Sequence, residues 1–581
     1  MKQPKYTFFA ATKNARLLAF LSIIIIIAEV VIQVFMPNRV GLIINEVTNK
    51  GDVNVIWYNG FILIGLALGA LCTGLIASFC SSKATSIFAK NIRNSLYSKI
   101  QSYSFNDIDK FSTGAILNRL NNDVNNVQLA FMMMIRTFVR LPILFITALI
   151  FSLNQSLILS SIFLVSIPLV VISFAIVSYK SYPNFKKLYK QYDSFNSKIQ
   201  ENLSAIRTIK SYVNEENEFA KIKHLSETLR NMSIRADKIV AWNSPVITST
   251  IFMSMVALGT IGTYAFLGEK MEIGTIVAFA SYIWMVSGSL MGMMNVSSLV
   301  LMSIPSVKRI KEILNHKVNI QNDPDAFKVQ LDGSIKFENV NFKYVNSNLN
   351  ALSDFNLDIK PNETIGIIGP TGSGKSTLIN LIVRFYDASS GQILLNGVDI
   401  KKQELNNLRE QIAFVTQEST LFSGTIRQNL LWANPNASDD ELNLALKQAN
   451  IYDFVNALPE KLDSRVEQKG QNFSGGQKQR LSIARSLLKK PRILILDDAT
   501  SAVDSKTEMQ IQQALSSLTD CTKIIIAQKI SSLKNCDRII VLDDGKIQNI
   551  GTHQQLLNSN QFYQELYQQQ QDLGGLSETS N

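Results

Sequence analysis

Six long apolar runs, at residues 17–40, 56–79, 138–153, 157–178, 241–267 and 275–301, constrain this 581-residue chain more than any other feature. A helix needs roughly 20 mostly apolar residues to cross a bilayer, where the backbone must satisfy its own hydrogen bonds. The runs therefore predict six membrane-spanning helices. The third is short and begins beside Arg136, Arg140 and Pro142, and only Asn154-Gln155-Ser156 separates it from the fourth, which reads as a tight turn. From about Gln330 onward the composition becomes that of a soluble α/β domain, and all but one of the fifteen methionines precede that point.

Charge orients the helices. The loops at 45–53, 154–156 and 268–274 are short and poor in Lys and Arg, so they are expected outside. The stretches 81–137 and 179–240 are long and basic, with Lys180, Lys186, Lys187, Lys190 and Lys198 in the second. They are expected in the cytosol as helices continuing well past the bilayer, and both termini follow them there. The net charge of +11 and pI of about 9.2 are thereby explained by a membrane surface rather than by nucleic acid. The first apolar run is long enough to span and no small-residue cleavage site follows it, so it is read as retained. Cys72, Cys80, Cys521 and Cys536 form no C-x-x-C pair, which argues for reduced thiols.

Polar groups inside the spans are costly. Glu29, with Gln33 one turn on, either lines a path for a polar or cationic cargo or pairs with a neighbouring helix. Arg136 and Arg140 share a helix face and are expected to snorkel to the boundary. Met285, Met291, Met293, Met294 and Met302, with Met253 and Met255, fit an adaptable apolar cavity, or else a lipid-facing surface or plain core filling.

The soluble half carries the chemistry. Gly369-Pro370-Thr371-Gly372-Ser373-Gly374-Lys375-Ser376 fits G-x-x-x-x-G-K-[ST], with a strand-like 363–368 before it and a helix-like 376–382, beginning Ser376-Thr377, after it. Backbone N–H groups can curl around phosphate oxygens, Lys375 adds a point charge, and the Ser376 hydroxyl can reach Mg²⁺. Tyr344 lies upstream on a predicted strand and suits adenine stacking. Gln417, after the strand-like 412–416, suits Mg²⁺ or a water. Phe473-Ser474-Gly475-Gly476-Gln477 opens a helix whose N-terminus suits a terminal phosphate. The buried strand 492–498 ends in Asp497, placed to hold Mg²⁺, and Asp498, in the position of a base.

In this order, the phosphate loop, Ser474–Gln477 and the Asp497 strand resemble the ATP-binding cassette (ABC) family, in its exporter-class half-transporters. The resemblance covers nearly the whole chain. It implies a polytopic α-helical membrane domain (1–315), a linker (316–333) and an α/β P-loop nucleotide-binding domain (334–572); the end of the chain from Gln561, with Gln568–Gln571, reads by its composition as a helix fraying into a disordered tail (573–581). The resemblance also implies two cassettes facing head to tail, with Ser474–Gln477 of one chain completing the site built on Lys375 of the other. By the same likeness 501–504, ending in Asp504, communicates between cassettes, and 106–114 and 201–212 hold coupling helices.

Three departures from the family pattern cluster around hydrolysis. Asp498 stands where glutamate is usual, Gln528 follows Ile526-Ala527 where histidine is usual, and Gln468 precedes the signature where glutamate is common. Phe473 replaces a leucine. None of the three histidines, His224, His316 and His553, is near Gln528 in the chain. A carboxylate withdrawn by about 1 Å can lose on the order of 10²-fold in rate, and glutamine cannot exchange a proton as imidazole does. The reading is an ATPase subunit of a heterodimeric plasma-membrane exporter. It binds ATP and Mg²⁺, pairs with a non-identical half-transporter, and moves amphipathic or hydrophobic multidrug-type compounds. A lipid or peptide exporter, or an ATP-gated regulator or channel, is the alternative.

Overall fold

A computed structural model describes residues 8–50, 54–345 and 347–578. The chain divides into two units, which are described separately: 1–101 with 113–316, and 102–112 with 317–581.

The first unit is six helices long and apolar enough to span: α1 Arg16–Lys50, α2 Asn54–Gln101, α3 Thr113–Gln155, α4 Leu157–Ser204, α5 Glu215–Leu267 and α6 Ile273–Asn315. At 1.5 Å per residue the 48 residues of α2 extend about 72 Å, over twice the hydrocarbon thickness. The long extensions expected from the basic insertions are therefore helical. Residues 51–53, within the first expected outer loop, lie outside the described residues, as do the tail residues 579–581.

Apolar periodicity sets the packing. Ile26, Val30 and Val34 recur at i, i+4 and i+8 on α1 and are fully buried against Leu144 and Ala148 of α3 and Phe279, Tyr282 and Ile283 of α6. The Tyr282 hydroxyl donates to the Val34 carbonyl at 3.3 Å. On α2 the stripe Leu68, Leu71, Leu75 and Phe79 is 56–67% exposed, an arrangement suited to lipid tails rather than water. Helices α1 and α6 cross closely at Gly41 and Gly274. A Cβ on Gly274 would lie 1.9 Å from the Gly41 carbonyl oxygen, and the Gly274 N–H donates to Asn45 Oδ1 at 2.6 Å.

The polar groups of the spans find one another. Arg140 Nη2 lies 3.3 Å from Glu29 Oε1 and donates to Gln33 Oε1 at 3.0 Å. Of the two readings of Glu29, the interhelical pair is the one observed. Arg140, expected near the boundary, thereby has a carboxylate partner on α1. A cavity of about 240 Å³ beside it is lined by Met132, Met133, Arg136, Thr137 and Arg140.

The second unit contains a six-stranded sheet ordered Lys546–Gly551, Arg538–Asp543, Thr364–Ile368, Thr522–Ile526, Ile493–Asp497 and Ile412–Val415. All neighbours are parallel except the first pair. Ile365, Ile367, Ile495 and Ile524 are buried against Leu378 and Ile382 of the helix Lys375–Ile382. An antiparallel sheet of Leu352–Ile359, Ile335–Phe342, Ser390–Leu395 and Val398–Asp399 completes this core. Val329 and Leu331, within the stretch expected as linker, are buried members of the same core.

Residues 102–112, expected within the membrane domain, group instead with this unit, for a physical reason. The short helix Phe105–Phe111 is capped by Ser104, whose N–H donates to Asp107 Oδ2 at 2.9 Å. Phe105 packs on the Phe385 ring at 4.5 Å, and the Tyr386 hydroxyl donates to Asp109 Oδ2 at 3.1 Å. By contrast Tyr212 and Val213, beside the helix Ile206–Ser211, are 80% and 84% exposed. The tail expected to be disordered from residue 573 continues instead as the helix Gln561–Glu578. The four cysteines are free thiols. Burial pushes Cys521 up to about 11 and Cys536 to about 12, leaving both inert at neutral pH.

Candidate functional site

In an open parallel sheet, ligands gather beyond the carboxyl ends of the strands. Three adjacent strands deliver the candidate residues there. Thr364–Ile368 leads into Gly369, Ile493–Asp497 ends at Asp497 with Asp498 next, and Thr522–Ile526 leads to Ala527 and Gln528. Register fixes the alignment, with Ile526 opposite both Ile367 and Asp497. Gln417 arrives from the flanking strand two residues past Val415, which pairs with Leu496, and is exposed.

The phosphate loop is built as the motif requires. Gly374 caps the helix Lys375–Ile382 at φ 99°, and a Cβ there would lie 2.7 Å from the Ala351 carbonyl oxygen. A Cβ on Gly372 would meet nothing within 4 Å, so that side of the cradle is open. Lys375 Nζ donates to the carbonyl oxygens of Gly369 and Pro370, both at 2.8 Å, and to Ser373 Oγ at 3.3 Å. These are neutral acceptors, and the charged oxygens of a triphosphate are stronger ones. Burial lowers the Lys375 pKa, against the pull of Asp497 and Asp498. The Tyr344 hydroxyl bonds Thr377 Oγ1 at 3.0 Å, and its ring stands edge-on to Phe342 and Tyr386.

The carboxylates are unevenly placed. Asp497 is 8% exposed, and burial and the neighbouring Asp498 raise its pKa, opposed by Lys375 and a Ser376 hydrogen bond. Ser376 and Asp497 offer the oxygen donors that a hard divalent cation prefers, next to a phosphate cradle, so the residues fit Mg²⁺. Asp498 sits at φ 50°, a left-handed conformation that aspartate tolerates better than most side chains. Burial raises its pKa too, while the Gln528 backbone N–H, Lys529 and Lys375 pull it down. Gln528 Nε2 donates to Asp498 Oδ2 at 3.2 Å, so the two departures from the family pattern touch.

The sign of the Asp497 shift yields a prediction. A carboxyl with a raised folded pKa stabilises the fold below its unfolded pKa, and that contribution is lost as pH rises through the folded value. At pH 7.5 the charged form bears the burial penalty. Asp497→Asn is expected to raise the unfolding temperature of the nucleotide-free chain by about 2 °C, the response to roughly 1 kcal/mol. The gain should shrink as pH falls and the native carboxyl takes up a proton, and the stabilisation given by Mg²⁺-ATP should fall. No rise at pH 7.5 would mean that the Lys375 attraction outweighs burial.

The signature segment lies elsewhere in the same unit. Ser474 caps the helix Gly475–Leu488 in a reciprocal box, its N–H donating to Gln477 Oε1 at 2.9 Å and its Oγ accepting from the Gln477 N–H at 3.3 Å. Gly476 passes the 501–504 loop so closely that a Cβ would lie 2.7 Å from the Ala502 carbonyl oxygen. Asp504 caps the next helix, Ser505–Ser516, accepting from the Thr507 N–H at 3.0 Å, which lowers its pKa. Phe473 is buried edge-on to Phe454, so the larger ring fills core. Gln468 lies in a turn in which Lys469 adopts φ 57°.

Two residues to which the sequence assigns no role organise these loops. Gln479 is buried and ties down the 501–504 loop, Nε2 donating to Ser501 Oγ at 3.1 Å and Oε1 accepting from the Ala502 N–H at 3.0 Å. Glu508 is buried and bonds both Thr500 Oγ1 and Ser532 Oγ. Each is a polar residue on an apolar helix face, which is the pattern that marks them.

Six spanning helices fused to this phosphate-loop unit define a multi-pass, ATP-driven membrane transporter. Residues 19–290 match the family model for the ABC transporter transmembrane region, and residues 352–501 match the model described as ABC transporter. The chain belongs to the ABC transporter family and has the half-transporter exporter fold. It is 34% identical over 96% of its length to the uncharacterized ABC transporter ATP-binding protein YfiB of Bacillus subtilis (strain 168), covering 97% of that protein. It is also 34% identical, over 82% of its length and 83% of the relative's, to the putative multidrug export ATP-binding/permease protein YgaD of the same organism. The fold matches a solved structure of a bacterial Atm1-family ABC exporter with ATP bound at TM-score 0.81 and 22% identity, covering 97% of this chain and 99% of that one.

Proposed function

We propose that this chain is one subunit of a heterodimeric exporter that moves amphipathic or hydrophobic compounds out across the plasma membrane. The nucleotide-binding unit and both termini face the cytosol in this reading. Its own site binds ATP and hydrolyses it slowly, and a non-identical half-transporter supplies the faster site. The observation that carries the reading is the Asp498–Gln528 contact: a short, partly buried carboxylate beside a side chain unable to shuttle a proton. The description of YgaD as a putative multidrug exporter supports the cargo class.

Lys375 and the N–H groups around Gly372 and Gly374 would bind the phosphates, Tyr344 the adenine, and Ser376, Asp497 and Gln417 the cation. Bound Mg²⁺ would neutralise charge developing on the transferred phosphoryl group. In this reading Ser474–Gln477 and Asp504 would complete the partner's site. The capped helix end at Ser474 is suited to that task.

The test is the chain purified alone in nanodiscs, compared with the chain isolated from its native membrane with its companion. Alone, it should retain nucleotide and turn over at least 10²-fold more slowly than the pair, the scale of a misplaced base. Brisk, drug-stimulated turnover by the isolated chain would overturn the heterodimer. A panel of drugs, lipids and peptides in the reconstituted pair separates the cargo classes.

A further inference from the structure

The C-terminal helix Gln561–Glu578 packs on the segment that carries Gln528. Tyr563 is fully buried among Ala527, Ile530, Leu533, Cys536 and Leu556, with Leu566 and Tyr567 packed beside it. Its hydroxyl lies 2.8 Å from His553 Nδ1. Positions 563, 566, 567 and 570 form one helical stripe, and a glutamine occupies the last of them. Gln568, Gln569 and Gln571 are exposed, whereas Gln570 turns inward.

Its amide makes two backbone contacts at once. Gln570 Nε2 donates to the Gln528 carbonyl oxygen at 2.9 Å, and Oε1 accepts from the Ile530 N–H at 2.9 Å. The uncharged amide carries donor and acceptor on one planar group, which lets it bond the carbonyl and the N–H that flank Lys529 at once. The far end of the segment is held separately, by the Glu508 carboxylate on Ser532 Oγ. Fixed at both ends, the segment sends the Gln528 side chain to Asp498 Oδ2.

We propose that Gln570 is a positioning residue that clamps Gln528 against Asp498, so that the C-terminal helix sets how long nucleotide stays at this chain's site. The proposal rests on the reading of this site as an ATP site and is independent of the identity of the partner subunit.

The experiment uses the full chain in nanodiscs and the dissociation rate of a fluorescent ATP analogue, mant-ATP, with Mg²⁺. Gln570→Ala should speed release about tenfold. Gln570→Met, which keeps length and packing without hydrogen bonds, should do the same, and Gln569→Ala should match the native chain. In a Gln528→Ala background, Gln570→Ala should add no further change, because the residue acts through Gln528. An equal effect in both backgrounds, or recovery by methionine, would reduce Gln570 to packing and overturn the proposal. Native-rate release from a folded Gln570→Ala variant would overturn it too. If the native chain does not bind mant-ATP at all, the ATP-site reading itself fails, a result distinct from loss of the clamp.

Discussion

Replacing Asp498 with glutamate and Gln528 with histidine together is expected to raise ATP turnover of the isolated chain by about 10²-fold or more, with KM little changed. Asp498 and Gln528 are in contact at 3.2 Å; in the proposed function they serve one proton-transfer step, while Lys375, Ser376 and Asp497 would hold nucleotide and cation independently. General-base help is worth roughly 10²–10⁴-fold, and a group withdrawn by about 1 Å can forfeit on the order of 10²-fold. Residues that act as a unit are far from additive. Each single change should therefore give less than tenfold: a glutamate beside Gln528 still lacks its proton partner, and a histidine beside the short carboxylate still lacks reach. A cost accompanies the gain. Position 498 sits at φ 50°, where glutamate is less at ease than aspartate, so the double variant should unfold a few degrees lower. Unchanged turnover in a double variant that still binds nucleotide would remove these two positions as the source of the proposed slow hydrolysis.

Much of this architecture was legible because its determinants are local. Apolar runs longer than a bilayer is thick can only be helices, and a glycine-rich loop between strand and helix builds its own cradle. Contacts that depend on the tertiary path were less visible. Glu29 and Arg140 lie far apart in sequence, and each is ambiguous alone; only the α1–α3 packing shows them as a pair. Residues 102–112 look like part of a membrane helix insertion until Phe105 and Asp109 meet Phe385 and Tyr386. Gln570 was hidden by its surroundings, since a run of glutamines reads as a fraying end. The distinguishing cue was present nonetheless: Tyr563, Leu566 and Tyr567 set a stripe that reaches position 570. Asp504 and Ser474 were noticed for their motifs, and the structure adds that both are helix caps, a job that constrains them regardless of nucleotide.

Arg309→Ala should be the most destabilising single change among the described ion-pair residues of the membrane unit, at about 3 kcal/mol. Asp123 closes the π-helical turn Arg119–Asp123 within α3, and its side chain is only 1% exposed. Arg309 of α6 meets it with two donors, Nε to Oδ2 at 2.8 Å and Nη2 to Oδ1, and Nη2 also reaches Ser306 Oγ at 3.3 Å. The hydrogen bond to Asp123 raises the Arg309 pKa further, so the guanidinium stays charged at any accessible pH. Removing the arginine leaves a carboxylate that is 1% exposed without its charged partner. Such losses cost roughly 3–5 kcal/mol, and the lower end applies because Arg309 itself is 44% exposed and solvent can follow into the gap. The asymmetry supplies the check. Asp123→Ala leaves behind only a half-exposed guanidinium that water can solvate, so it should cost less than Arg309→Ala. The double variant should be more stable than Arg309→Ala alone, because no buried charge remains. Thermal unfolding of the four proteins in one detergent or nanodisc decides it. A double variant that melts below both singles would show that the pair contributes through packing of α3 on α6, with the charge incidental.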